Sequence, residues 1–500
     1  MEFDLFPIWF HPLLLFTILI RLIIQSHKIA KHPNLRSVPG PFFSAYSSLP
    51  LQIAILRGRR TVYIHALHEK YGPYVRIGPQ EIAIADIEAH RVIHRVGSDY
   101  NKGSWYQGQV PTLHTDAPSG IFCIMNNKDA SHRRRVLQKA GPMKVVLEWE
   151  PHVIALTGLA ARNIKYELEK YGFSDVMKQW TVMSAEILNL AFGQSSGDTE
   201  EEGKNHVPHA VGPMMPMISM RDDWPWTRFF FETLPSWCPS GLTSVWNRFA
   251  RGEKGAERAT HSKTLFSKMV RSAQHPNGAA TQQEADALAA GTDNTAITLT
   301  YLVYTVLKHE DVKLKLIEAL ATLPRNPSSS QLEALPHLQN VIQEVLRLHP
   351  VVPGSLPRIV PEGGGRLGPY VFPGGIQVST QAWTMQRDAR VFADPLKYPN
   401  PLPYSYLTAV ANHRRFDPDR WNDPTPAMRE HMLVFGGSAR SCLSKDIARV
   451  SLAHAVAALF RECPRIGLGA ETTEESMEMV DYFAVKPRGR RCVVVPVDRE

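Results

Sequence analysis

The residues best suited to chemistry lie near the carboxyl end, where Phe435 to Ala448 reads FGGSARSCLSKDIA. A glycine-rich loop runs past Cys442 into a helix beginning LSKDIARVSLAHAVAALF. Helix N–H groups at such a junction favour thiolate over thiol. A thiolate is a soft, strongly donating metal ligand. Gly436 and Gly437 let the backbone come close to the sulfur and to a group bound on it. The other cysteines, Cys123, Cys238, Cys463 and Cys492, are scattered and form no C-x-x-C pair. They read as small buried hydrophobes in a reducing compartment.

Two further groups of polar residues lie upstream. Glu344 and Arg347 stand three apart in HLQNVIQEVLRLHP, so they share one helical face and can pair, most simply on the surface. The later stretch FDPDRW supplies Arg420 as a third partner. The segment 284–307, EADALAAGTDNTAITLTYLVYTVL, is apolar nearly all round and predicts a long helix through the core. Its middle crowds Gly291, Thr292, Asp293, Asn294 and Thr295, polar groups that burial penalises unless the helix opens to admit water or a ligand. A carboxylate beside a hydroxyl or amide there can relay protons to a bound oxidant. The structural alternative is a kinked helix whose threonines bond back to carbonyls.

Taken together these motifs resemble the cytochrome P-450 family of the fungal microsomal type. The cysteine loop is similar to the haem signature F-x-x-G-x-R-x-C-x-G, matched at Phe435, Arg440 and Cys442, with Ser438 and Ser444 standing at the two glycine positions. The resemblance implies Cys442 as the proximal ligand of haem b, its thiolate pushing electron density onto the iron. It implies Glu344, Arg347 and Arg420 as a structural ion-pair triad behind the haem. AGTDNT, residues 290–295, resembles the oxygen-activating A-G-x-D-T-T segment, with Asp293 as the acid, Asn294 at the usual threonine position, and Thr295 after it. By the same resemblance Arg358 and Arg440 pair with the haem propionates, where a guanidinium fork suits a carboxylate. His132, Arg134 and Arg135 are candidates to assist.

These residues need a large scaffold to position them. The chain has 500 residues, 44% of them hydrophobic, ample for a buried core, and no Gly/Ser linker or repeat divides it. The expected fold is mainly α with small β-sheets, one haem-thiolate catalytic domain over 42–500. EKYGPYVRIGPQEIAIA, residues 69–85, carries two alternating runs divided by Gly78 and Pro79 and predicts a β-hairpin. Leu5 to Ile24, LFPIWFHPLLLFTILIRLII, is about the length of a membrane-spanning helix. Arg21, Lys28, Lys31 and Arg36 follow it while Glu2 and Asp4 precede it, so the positive-inside rule places the domain in the cytosol on the endoplasmic reticulum membrane. Residues 25–41, ending PNLRSVPGP, read as a proline-rich hinge.

One stretch sits oddly in this order. Between Pro395 and Phe416 the family has about two residues, whereas this chain has LKYPNPLPYSYLTAVANHRR. It is either a tolerated surface loop or a retained intron over 398–415, whose removal restores DPLKFDPDRW.

The net charge of +8 suggests an acidic protein or a lipid surface as partner, and the absence of zinc-finger or RNA-binding patterns excludes nucleic acid. The expected function is a monooxygenase that takes electrons from NADPH through a reductase and inserts one oxygen atom of O₂ into an apolar secondary-metabolite substrate. The readings kept beside it are a haem-thiolate isomerase or dehydratase working without O₂, and a haem-binding sensor or catalytically impaired copy.

Overall fold

The computed structural model describes residues 32–108, 121–139, 142–192, 291–392 and 416–497. The span 5–24, the stretch 398–415 and the part of the long polar-centred helix before Gly291 lie outside the described residues. Among the described residues, no helix is long and apolar enough to cross a membrane.

The helices that position the site are Leu49–Leu56 (α1), Arg60–Tyr71 (α2), Ile87–His94 (α3), Asn127–Lys139 (α4), Pro142–Tyr171 (α5), Val176–Phe192 (α6), Gly291–Leu307 (α7), Glu310–Ala321 (α8), Pro336–Leu348 (α9) and Lys445–Glu462 (α10). Helices α5 to α10 enclose one apolar core, with Trp180, Leu299, Leu302, Val306, Val341, Val345 and Leu459 fully buried. The central helix α7 buries residues on every face, as its sequence requires: Ala296, Ile297, Leu299, Tyr301, Leu302 and Val303 are all within the core. Its threonines satisfy themselves locally, Thr298 Oγ1 donating to Asn294 O at 2.8 Å and Thr300 Oγ1 to Ala296 O at 2.8 Å. The back-bonded alternative therefore describes these two residues.

Helix α9 begins with Pro336 in its first turn and ends just before Pro350, both placements that proline's missing N–H and steric demands favour. Between those ends, Glu344 and Arg347 both point inward and are buried.

Beside the helices lies a five-stranded sheet built from Tyr74–Gly78 (β1), Glu81–Ile84 (β2), Asn101–Lys102 (β3), Arg358–Ile359 (β4) and Gln377–Ser379 (β5), in the order β1-β2-β5-β4-β3. The first two strands form the expected antiparallel hairpin, with Tyr74 opposite Ile84. Strand β5 joins β2 in parallel, while β3 and β4 are antiparallel neighbours. This last pairing brings Lys102 opposite Arg358, two cations from distant parts of the chain. A separate hairpin, Met479–Tyr482 (β6) and Ala484–Pro487 (β7), reaches back to helix α7.

The described half of the proline-rich stretch is seated on the sheet. Leu35 and Val38 are buried in an apolar cluster with Ile82, Tyr100 and Val378, and Arg76 N donates to Pro39 O at 2.8 Å. A hinge is read from its prolines, but the two apolar side chains between them dock it. Gly40 permits that approach, because a Cβ there would meet Arg76 O at 2.4 Å.

Candidate haem-thiolate site

The cysteine loop leads into helix α10 and is shaped by three residues with different demands. Gly436 lies at φ 73°, in the left-handed region that glycine enters without steric cost. Gly437 has no room for a side chain, since a Cβ would stand 2.8 Å from His90 Nε2. Ser438 also has a positive φ, 35°, although it carries a side chain. That conformation costs an L-residue roughly 1–2 kcal/mol, so Ser438→Gly should stabilise the fold by about 0.5–1 kcal/mol after allowing for glycine's greater unfolded-state freedom. Urea midpoints of the two proteins check this.

The loop closes by Cys442 N donating to Phe435 O at 2.7 Å, and Phe435 packs its half-buried ring on the main core. Cys442 itself is exposed, whereas Cys123, Cys463 and Cys492 are buried, where burial pushes their thiols up to about 11, 12 and 12. Helix α4 clamps the loop from outside: Arg134 donates to Ser441 O at 2.6 Å and to Ser441 Oγ at 3.0 Å. Its guanidinium is pulled down by burial and held up in part by the charge of Cys442. Arg135, one residue on, is exposed, and so is His132. The helical turn thus delivers Arg134 rather than Arg135 to the cysteine loop.

Behind this loop three cations converge. Arg440 donates through Nε to Asn127 Oδ1 at 3.2 Å and through Nη2 to Ile124 O and Asn126 O, each at 3.0 Å. Arg358 reaches the same Asn127 Oδ1 at 3.2 Å and Tyr100 O at 3.1 Å. Lys102 Nζ donates to Phe122 O at 2.7 Å and lies 4.0 Å above the ring of Tyr106. Lys102 and Arg358 are almost wholly buried, at 8% and 2% exposure, yet among the described residues neither forms an ion pair with a carboxylate. Among the same residues Arg358 Nε and Arg440 Nη1 are buried without a hydrogen-bond partner. Burial, reinforced by Arg358, lowers Arg440 to about 10, and burial with Arg440 and Arg358 depresses Lys102 strongly. Such a cluster is unfavourable unless an anion completes it.

Two buried histidines lie against the same cluster. His90 and His94, on α3, sit 4.4 Å apart between ring centroids, and both reach Thr380 Oγ1, at 2.8 and 3.4 Å. Burial, then Arg358 and His431, lower His90 to about 4, and burial, then His90, Arg358 and Lys102, hold His94 well below the ordinary histidine range. Below the ordinary histidine range the unfolded chain therefore takes up protons that the fold refuses. Stability should be full above about pH 6.5 and fall towards pH 4, by up to about 1.4 kcal/mol per pH unit for each ring. Thermal unfolding between pH 7.5 and 5 measures the slope, which His90→Gln should roughly halve.

Glu344 is fully buried and fully bonded. It accepts from Arg347 Nε at 2.8 Å and Nη2 at 2.7 Å, from Arg420 Nε at 3.0 Å, from Trp421 Nε1 at 2.9 Å and from the backbone N of Asp417 at 3.2 Å. Burial alone would raise its carboxyl, but Arg347, Arg420 and Trp421 hold it below the usual carboxylate range. The triad is thus assembled, with Trp421 as a fourth member. Asp293, at the amino end of α7, pairs with Lys486 of β7 at 3.4 Å, and both side chains are about one-third exposed. Asn294 and Thr295 follow it at intermediate burial.

Lys102 and Asn127 carry no motif in the sequence. Their role depends on strand pairing and on a helix start that brings them to Arg358 and Arg440.

The family model "Cytochrome P450" matches residues 39–401. The chain is 31% identical to the cytochrome P450 monooxygenase tazI of Aspergillus terreus, across 95% of this chain and 96% of that protein. It is 30% identical to the cytochrome P450 monooxygenase orf2 of Aspergillus niger, over 92% and 93% of the two chains, and 31% identical to the cytochrome P450 monooxygenase stcB of Emericella nidulans, over 94% and 90%.

Proposed function

Because the chain belongs to the cytochrome P450 family, we propose that it works as a membrane-attached monooxygenase that draws electrons from NADPH through a reductase and oxidises an apolar secondary metabolite. The family membership makes it a haem-thiolate monooxygenase with a redox partner and a small-molecule substrate. It does not favour the isomerase or dehydratase alternative.

The observation that carries the reading is the cation cluster beside the cysteine loop. Haem bears two propionates, and Arg358 Nε and Arg440 Nη1 are buried donors without a partner among the described residues that suit them, with the buried Lys102 beside them. Cys442 would hold the iron, and thiolate-ligated haem supplies the activation of O₂ that permits insertion of one oxygen atom into a C–H or C=C bond. The chain's own residues do the remaining work. Arg134 fixes the carbonyl of Ser441 and so the path of the loop. Glu344, bonded to Arg420, Trp421 and the backbone N of Asp417, holds α9 against the segment 417–421. Asp293, steadied by Lys486, offers a carboxylate that can pass a proton, and the Asn294 amide can orient water beside it.

Attachment to the endoplasmic reticulum membrane, with the domain in the cytosol, is supported by the apolar run 5–24. It is supported also by an exposed apolar face on the described residues after it: Phe42, Phe43, Leu49, Ile53 and Leu56, the last three at helical spacing on α1. Docking of an acidic reductase is supported by exposed Arg135, Lys445 and Arg449 on α4 and α10, the helices that meet at the cysteine loop. The retained-intron reading of 398–415 is supported by the family match breaking off at residue 401, inside that stretch. A mature transcript encoding the whole of 398–415 refutes it.

The function is tested with microsomes containing the chain and a reductase, supplied with NADPH, ¹⁸O₂ and a library of apolar metabolites. Product carrying one ¹⁸O atom, dependent on NADPH, is expected. Turnover that proceeds without NADPH or O₂ contradicts it.

A further inference from the structure

Ser444 is the residue of the cysteine loop whose chemistry the family pattern leaves unassigned. It stands at the second of the two positions where glycine is expected, so its hydroxyl is an addition. It is also the N-cap of α10, at φ −93° and ψ 14°, a place where a serine side chain ordinarily accepts a hydrogen bond from the first turn. Here it caps nothing. Its Oγ lies instead 3.4 Å from Cys442 Sγ.

The direction of that contact follows from chemistry. A ligating cysteine is a thiolate and has no proton to give, whereas a serine hydroxyl has one. The hydroxyl must therefore donate to the sulfur. A donor on a ligating sulfur draws charge from the metal–sulfur bond, and the charge it stabilises is larger when the iron is reduced. The reduced state gains more than the oxidised one.

We propose that Ser444 tunes the reduction of the bound haem: its hydroxyl donates to the Cys442 thiolate and shifts the ferric/ferrous equilibrium towards ferrous iron, relative to a chain with alanine or glycine at this position. Ser444 is a positioning residue that acts through Cys442 and touches no substrate. The step concerned is a one-electron reduction of ferric to ferrous iron by an external reductant. No bond is made or broken, and the serine keeps its proton. The inference rests on the haem-thiolate reading.

The experiment is spectroelectrochemistry on the full-length chain with haem bound and chemical mediators in place of a reductase, comparing wild type with Ser444→Ala, Ser444→Gly and Ser444→Thr. Removing the hydroxyl should disfavour reduction about tenfold, a fall of about 59 mV for a one-electron couple. The ferric iron–sulfur stretch in resonance Raman should move to higher frequency, because the bond regains charge. Ser444→Thr, which keeps the donor, should restore both readings. Ser444→Gly covers the case in which the alanine chain fails to take up haem. An unchanged potential and stretch in the alanine and glycine chains overturns the proposal and leaves Ser444 a structural residue. A wild type without thiolate-ligated haem, judged from its reduced carbonyl spectrum, overturns the haem-thiolate reading itself and the inference with it.

Discussion

Glu344→Gln is expected to destabilise the protein by about 3–5 kcal/mol, the typical result of removing one partner from a buried charge pair. The carboxylate is the anion for two guanidinium groups, Arg347 at 4% and Arg420 at 10% side-chain exposure. Glutamine keeps the shape but removes the charge, so Arg347 would remain buried without a carboxylate and Arg420 would keep only Asp417, at 3.8 Å. Against a total stability of about 5–15 kcal/mol for ordinary domains, that is a large fraction. The replacement should lower the urea midpoint sharply and leave most of the chain without haem. A midpoint within about 1 kcal/mol of wild type would mean that the triad contributes little.

Arg358→Met is expected to act oppositely on the two forms of the protein. Without haem, the change removes one of three clustered cations and relieves the repulsion that adds to the effect of burial in lowering Lys102 and Arg440. The cost is two hydrogen bonds from the guanidinium to neutral acceptors, Tyr100 O and Asn127 Oδ1. These effects oppose each other, so haem-free stability should change by less than about 1 kcal/mol. With haem, a desolvated charge partner is lost, an effect of about 2–5 kcal/mol. Release of haem to a scavenging protein should accelerate at least roughly thirtyfold. Retention as tight as wild type would show that the cluster does not hold the propionates.

What the sequence discloses, and what it hides, follows from the range of the interactions. Glu344 and Arg347 are legible because helical geometry fixes residues three apart on one face. Cys442 is legible because its neighbours, glycine before it and a helix after it, are contiguous in the chain. Arg420 becomes legible only through the family's motif, since nothing local joins it to Glu344. Arg134 and Arg135 look equivalent in the run HRRR, and only the phase of α4 decides that Arg134 reaches Ser441. Lys102 and Asn127 are silent in the sequence, because their meeting with Arg358 and Arg440 depends on strand and helix placement over hundreds of residues.

The hinge shows the reverse case. Its proline content reads as a hinge, yet Leu35 and Val38 bury themselves on the sheet and dock the described part of it. The two serines of the cysteine loop differ in the same spirit. Ser438 bears backbone strain that glycine would escape, whereas Ser444 places a hydroxyl beside the sulfur.

The central claim is that Cys442 is the thiolate ligand of the haem, with the cation cluster beside its loop as the propionate site. Its most direct test is the absorption spectrum of the reduced carbonyl complex of the full chain and of Cys442→Ala. Wild type should show the long-wavelength Soret band of thiolate ligation, and Cys442→Ala should lack it while the apoprotein keeps its helical content. An unchanged band in Cys442→Ala would contradict the assignment.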